Sequence, residues 1–402
     1  MVDLVQQARS NFYKGMGINM YIYNAKINTM DNLIIENGYV KIDAGKIIDV
    51  SKGKPTTITA DDIDAKGKLL LPGFIDAHTH LGIIEDGLGF EGDDCNEETD
   101  PVTPHLRSID GINPFDRCFE EAVEAGITSV LSSPGSANTI CGEIVAIKTN
   151  GRRIDDMIIK TVAMKFALGE NPKTVYNDKD ETPVTRMATV ALIREALYKA
   201  KKYAEALEKS REDEDIDAPE YDMKCEALLP LLRKEVTAHF HCHRADDICT
   251  VLRIRKEFDI KCVLVHATEG YKIADILADE KIDVIVGPII CDRSKPEMKQ
   301  LNAQNAGILQ KNGVKIALCT DHPVIPVQYL AMSGAIAVKN GLDRQNALEA
   351  LTINPAEICG IADRVGSITV GKDADLCLFD GDPLDVMTSP CLVMISGKIV
   401  KN

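Results

Sequence analysis

The sequence predicts an α/β fold: a closed, TIM-like (β/α)8 barrel joined to a small composite β-sandwich built from both chain ends. Three observations lead there. Eight apolar runs of strand length alternate with helix-like segments between residues 69 and 320. Both ends of the chain read instead as short strands separated by turns, and neither end can bury a core alone. Of eight histidines, all but His105 lie at or near the ends of four of the apolar runs, where a parallel barrel gathers its reacting groups.

The N-terminal strands are expected at 19–23, 32–36 and 46–50, punctuated by Gly38, Gly45 and Gly53. The C-terminal strands are expected at 366–368, 374–379, 392–395 and 398–400. Pairing the ends assigns 1–72 and 361–402 to the sandwich and 73–360 to the barrel. The barrel runs are 69–78, 127–133, 143–148, 157–167, 235–243, 261–267, 282–288 and 314–320. Helices are expected at 115–125, 185–210, 245–258, 270–280 and 297–312. The third connection is short for a full crossover. Residues 173–234 form a long insertion, in which Thr182-Pro183 reads as a cap and first turn. Leu192, Ala196, Leu197 and Ala200 there share a helical face, and the acidic run 212–215 reads as a solvated loop.

The chain has 402 residues, 45% apolar and 27% charged, with a formal charge of −16. That balance suits a globular enzyme and argues against a nucleic-acid backbone or an anionic membrane as partner. The 12 cysteines form no C-x-x-C pair, and residues 1–15 carry no cationic start followed by an apolar block. No apolar run nears the ~18 residues that span a bilayer. A reducing, cytoplasmic setting is expected, with the cysteines as small buried residues.

The most informative stretch is GFIDAHTH, 73–80. Residues two apart on a strand point the same way, so His78 and His80 reach one point, and imidazole is a strong ligand for zinc-like cations. The fifth run ends in His239, His241 and His243, the sixth in His266, and the eighth in Asp321 and His322. Imidazoles converging at one barrel mouth are costly to desolvate without a cation or hydrogen-bond partners. His105, alone in a loop, is expected at the surface.

The segments LPGFIDAHTH (71–80), HCHRADDI (241–248), HATEGYKIADIL (266–277), TDHPVIPVQYL (320–330), TINPAEICGI (352–361) and VGSITVGKDADL (365–376) carry a resemblance. The chain is similar to the metal-dependent amidohydrolase superfamily, in its imidazolonepropionase-like branch, over nearly its whole length. The resemblance implies His78, His80 and His241 as metal ligands, with His243 the alternative to His241. It makes His266 a second-metal ligand or a polariser of the substrate carbonyl, Asp321 both ligand and general base, and His322 a residue facing substrate. Lys165, at the end of the fourth run, could carry the carboxylated bridge between two metals; Lys148 is the other candidate. Glu170 and Arg244 are candidate substrate contacts, and Arg293, Lys272 and Tyr271 lie in similar loops. The cofactor implied is Zn2+, as one or two ions, and the same ligands tolerate Mn2+, Fe2+ or Ni2+.

The chemistry expected is hydrolysis of an amide, lactam or cyclic amidine of a small polar molecule by a metal-activated hydroxide, with Asp321 moving the proton. A deaminase is the alternative, with Glu269 as the carboxylate that protonates the ring. A non-catalytic scaffold is a third reading, against which the full ligand set stands. A homo-oligomer is a family expectation only.

Overall fold

The computed structural model describes residues 19–402, so the reading of residues 1–15 lies outside the described residues. β1 (Met20–Asn28), β2 (Ile34–Asp43), β3 (Lys46–Lys52), β4 (Ile63–Asp64) and β5 (Leu69–Pro72) open the chain. The barrel strands follow: β6 (Phe74–Thr79), β7 (Ile127–Ser132), β8 (Ile140–Lys148), β9 (Ile158–Ala167), β10 (Thr237–Cys242), β11 (Cys262–His266), β12 (Asp283–Val286) and β13 (Ile316–Leu318). β14 (Leu376–Phe379), β15 (Pro390–Ile395) and β16 (Lys398–Lys401) close it.

The two chain ends meet in one mixed sheet of order β16-β15-β14-β5-β1-β2-β3, with β4 beside β1. The sandwich expected from sequence is thus one hydrogen-bonded sheet. Its two arms share a core, because Ile42 and Ile47 pack with Leu376 and Met394. Alternation assigns each face. Leu376, Leu378 and Leu392 enter that core, while Cys377, Phe379 and Val393 face the barrel.

The second sheet runs β6 to β13 in chain order. Its ends are joined where the His80 N–H donates to the His322 carbonyl (2.9 Å) and the Asp321 N–H to the His78 carbonyl (3.1 Å), giving a nearly closed ring. One strand departs from the expected pattern. β8 is antiparallel to both β7 and β9, since connections of seven and nine residues cannot hold the helical crossover that parallel neighbours need. The barrel is therefore not parallel throughout. Within β10 the period of two puts Phe240 outside, stacked on Phe166 at 4.7 Å, and turns His239 and His241 inward.

The insertion folds as helices Glu170–Asn177, Arg186–Glu212 and Met223–Leu232. The long helix is capped by Thr185, whose side chain accepts from the Ala188 N–H, rather than by Thr182, because Pro183 and Val184 remain outside it. Val190, Ile193, Leu197 and Leu228 join the core against the barrel wall. The acidic run after Glu212 is exposed, as expected. Among the described residues no helix is long and apolar enough to cross a membrane.

Candidate metal centre

The strand ends of the barrel bring six polar groups to one place. His78 Nε2 lies 3.4 Å from Asp321 Oδ1, and His80 Nε2 lies 3.5 Å from the same oxygen. The His266 ring stands 5.5 Å from that of His78 and 4.6 Å from that of His241. Lys165 Nζ reaches His78 Nε2 at 3.1 Å. Donor atoms of His78, His266 and Asp321 all fall within 4.8 Å of one another, as do those of His241, His243 and His266. His78, His80, His241, His266, Asp321 and Lys165 therefore lie together at the barrel mouth.

Hydrogen bonds on the far side of two rings fix what the near side offers. His80 Nδ1 donates to the Ser133 carbonyl at 2.7 Å, and His266 Nδ1 to the Gly287 carbonyl at 2.7 Å. A carbonyl accepts only, so each Nδ1 carries a proton. His266 is neutral and presents an Nε2 lone pair inward; burial lowers the His80 imidazole too, but Cys95 and Asp321 outweigh it and push it up to about 10, so a cation would displace its Nε2 proton. Burial holds the imidazoles of His78, His241 and His266 well below their ordinary range, which keeps them neutral and able to ligate. Burial opposes the charged form of Asp321 as well, but His266, His78 and His80 outweigh it and keep this carboxylate ionised. Neutral nitrogen donors around an ionised oxygen suit a divalent cation of zinc type.

The backbone is unusual where the ligands sit. His266, Ala267 and Asp321 have φ of 71°, 41° and 56°, a region that side chains other than glycine rarely occupy and that clusters at functional sites. Asp76, which the sequence reading passed over, supports the centre from behind. Its carboxylate accepts from the Thr320 N–H and hydroxyl and from the His78 N–H, tying β6 to the segment after β13. Burial pushes its carboxyl up to about 7. The alternation Asp76, His78, His80 on one strand face was the available signal.

Other expected residues lie elsewhere or are otherwise engaged. Lys148 ends the reversed strand β8, so it lies at the opposite end of the barrel, paired with Asp373 (3.1 Å) and Asp375. Arg244 forms a two-pronged pair with Asp246 (2.9 and 2.8 Å) and is half-exposed. Glu170 Oε2 accepts from the Glu297 N–H at 3.0 Å, while Glu297 Oε2 accepts from the Glu170 N–H at 2.8 Å. Glu269 pairs with Lys272 at 2.8 Å and accepts from the Ala245 N–H at 3.0 Å. Tyr271 and Arg293 bond the backbone of Gln300 and Leu301. His239 lies inside the barrel one layer below His241, opposite Lys165 in register. His322 accepts from the Val327 N–H at Nδ1 (3.2 Å), so its Nε2 carries the proton, and that atom is buried without a partner. His105 is half-buried rather than exposed.

Three residues missed from sequence line the mouth. Glu297 is buried, with Oε1 3.9 Å from His241 Nε2 and 3.7 Å from His243 Nε2. Asn171 approaches His241 Nε2 at 3.4 Å and accepts from Lys295 Nζ at 2.7 Å. The sequence leads to a helix over 297–312. Instead a short turn, Pro296–Met298, precedes a helix that begins only at Asn305. Pro296 was the signal, since proline favours the first position of a new turn.

Comparison with known proteins gives the family and the fold. Residues 69–400 match the Amidohydrolase family. Amidohydrolase tasK of Hapsidospora irregularis is 31% identical over 394 residues, covering 90% of this chain and 39% of that protein. The chain thus spans about two fifths of that relative's length. Imidazolonepropionase of Fusobacterium nucleatum is 24% identical over 393 residues, with 88% of each chain covered. The crystal structure of an amidohydrolase from Thermotoga maritima MSB8 superposes with a TM-score of 0.91 at 41% identity, covering 95% of this chain and 99% of that one. A prolidase bound to n-methylphosphonate-l-proline shares the fold at 17% identity and a TM-score of 0.58.

Proposed function

The chain belongs to the amidohydrolase family, and from that premise we propose that it hydrolyses a C–N bond of a small polar substrate with a divalent cation, Zn2+, held at the barrel mouth. As a member of that family it is a hydrolase acting on carbon–nitrogen bonds. The observation that carries the rest is the set of Nε2 atoms turned toward Asp321, with His80 and His266 locked by backbone carbonyls in the tautomer that ligates.

His78, His80, His241, His266 and Asp321 would hold the ion. When bound, the cation supplies Lewis-acid polarisation of a carbonyl and acidifies water toward a pKa of about 7. Asp321, kept ionised by its imidazole neighbours, takes the proton of the attacking water and returns it to the leaving nitrogen. His266 has no Nε2 proton to give a carbonyl, so we assign it as a ligand rather than a polariser. His322 does have a free Nε2–H, and we assign it to the substrate. Burial lowers the pKa of the Lys165 amine, which favours the neutral form that reacts with carbon dioxide and supports a carboxylated bridge there. Lactams, N-acyl amino acids and dipeptides are the substrates this reading favours. The deaminase alternative loses its carboxylate, since Glu269 is spent on Lys272 and the Ala245 N–H. The same reading divides the chain into a barrel, 73–360, and a composite domain from 1–72 and 361–402.

The test joins elemental analysis to a substrate screen. His78→Ala should lower bound metal, and Asp321→Asn should abolish turnover of whichever lactam, N-acyl amino acid or dipeptide the parent cleaves while the circular dichroism spectrum is kept. Purified protein that takes up no divalent metal would overturn the reading.

A further inference from the structure

We propose that Lys295 grips a free carboxylate on the substrate, set beside the bond that is cleaved, so that the barrel mouth selects N-acyl amino acids and dipeptides over uncharged lactams. This rests on the metal-hydrolase reading and adds Lys295 as a specificity-determining residue.

Lys295 lies between β12 and the helix that begins at Asn305, and it is half-buried. Its ammonium donates to Asn171 Oδ1 at 2.7 Å, a neutral acceptor. The nearby carboxylates are turned elsewhere. Glu297 directs Oε1 to His241 and His243 and gives Oε2 to the Glu170 N–H. Glu170 Oε2 is taken by the Glu297 N–H. A half-buried ammonium with only a neutral partner is costly to hold, and it favours an incoming anion.

The amide that holds Lys295 also reaches the metal centre. Asn171 Nδ2 donates to Ser136 Oγ at 2.7 Å, which fixes the amide's orientation, and stands 3.4 Å from His241 Nε2. One side chain thus spans the gap between the ammonium and an imidazole of the ion-holding set. The backbone behind the ammonium is fixed as well. Pro296 confines Lys295 to the extended region, at φ −125° and ψ 148°, and Glu170 holds the next N–H at 3.0 Å.

The spacing suits one class of substrate. In an N-acyl α-amino acid or a dipeptide the carboxyl carbon stands about 2.5 Å from the amide nitrogen, two covalent bonds away. A carbonyl over the ion therefore brings the carboxylate to the rim of the same site, where Asn171 and Lys295 stand. A lactam without a carboxylate leaves the ammonium unmatched.

The test uses the metal-loaded chain and matched pairs of N-acyl amino acids and dipeptides, each as the free carboxylate and as the carboxamide. The wild type should favour the carboxylate member in kcat/KM by about tenfold to a hundredfold, the effect of one charge-assisted hydrogen bond. Lys295→Met should bring that ratio near one, through KM rather than kcat, with bound metal measured beside it. Lys295→Arg should restore part of the ratio. Should Lys295→Met unfold, the wild-type ratio decides, because without such a grip the carboxamide is cleaved equally well. A wild-type ratio near one, turnover of uncharged lactams alone, or an unchanged ratio in Lys295→Met would overturn the role of Lys295 and leave the metal-hydrolase reading standing. No turnover of any amide or lactam by the metal-loaded chain would instead overturn that reading, and this one with it.

Discussion

Replacing Lys148 by methionine should cost stability without touching the metal. The lysine is buried at the foot of the barrel between two buried carboxylates. Asp373 keeps two other cations, Lys46 at 2.6 Å and Arg364 at 2.7 Å. Among the described residues Asp375 has no second cation; the Ser396 N–H at 2.8 Å is its other side-chain partner. Methionine therefore strands one buried carboxylate, and breaking a buried pair in this way costs about 3–5 kcal/mol. Lys148→Met with Asp375→Leu removes both charges and should return to within about 1 kcal/mol of the parent. pH adds a sign. Burial opposes the ionised form of Asp373, but Arg364, Lys148 and Lys46 outweigh it and hold the carboxyl below its ordinary range. A depressed folded pKa gives stability that is present above the unfolded value, about 3.9, and lost as pH falls through the folded value. Without Lys148 that loss should begin at a higher pH. Denaturant melts at pH 7 and pH 4, with bound metal measured beside them, check each part. A loss below about 1 kcal/mol, or a double variant no better than the single, would refute the reasoning.

Three further outcomes are expected. Gly169→Ala puts a side chain at φ 89°, ψ −135°, a conformation reserved for glycine, against Glu297, and should destabilise by about 1–3 kcal/mol from backbone alone, read by thermal melting. Lys165→Met should lower metal content, and in the parent bicarbonate should raise it; metal uptake indifferent to both would exclude a bridging role. Glu269→Gln should leave turnover within about threefold, measured as kcat/KM, because its carboxylate ties helix to loop rather than reaching the metal.

Much of the fold was legible because hydrophobic period and turn residues act locally. β10, β11 and β13 fall within the apolar runs read from sequence and β6 passes its run by one residue, and the histidines of β6, β10 and β11 converge. The direction of β8 was not legible, although the short connection to β9 carried the hint, since pairing direction depends on neighbours rather than on the strand's own residues. Lys148 and Lys165 both end apolar runs and look alike in sequence; the reversed strand separates them by the height of the barrel. Arg244 and Glu170 were chosen for charge and position, but nearby Asp246 and distant Glu297 take up those groups. Glu297 was hidden by the expectation of one continuous helix.

The mutual bonds between Glu170 and Glu297, with Lys295 on Asn171, link the segments that follow β9 and β12 across the ends of β10 and β11. The loops on that side of the opening are thus tied to each other. Residues 81–117, which follow β6, carry Phe90 and Phe115 at 97% and 70% exposure. Exchanging that stretch between relatives should change which compounds are accepted while the ion-holding groups stay as they are.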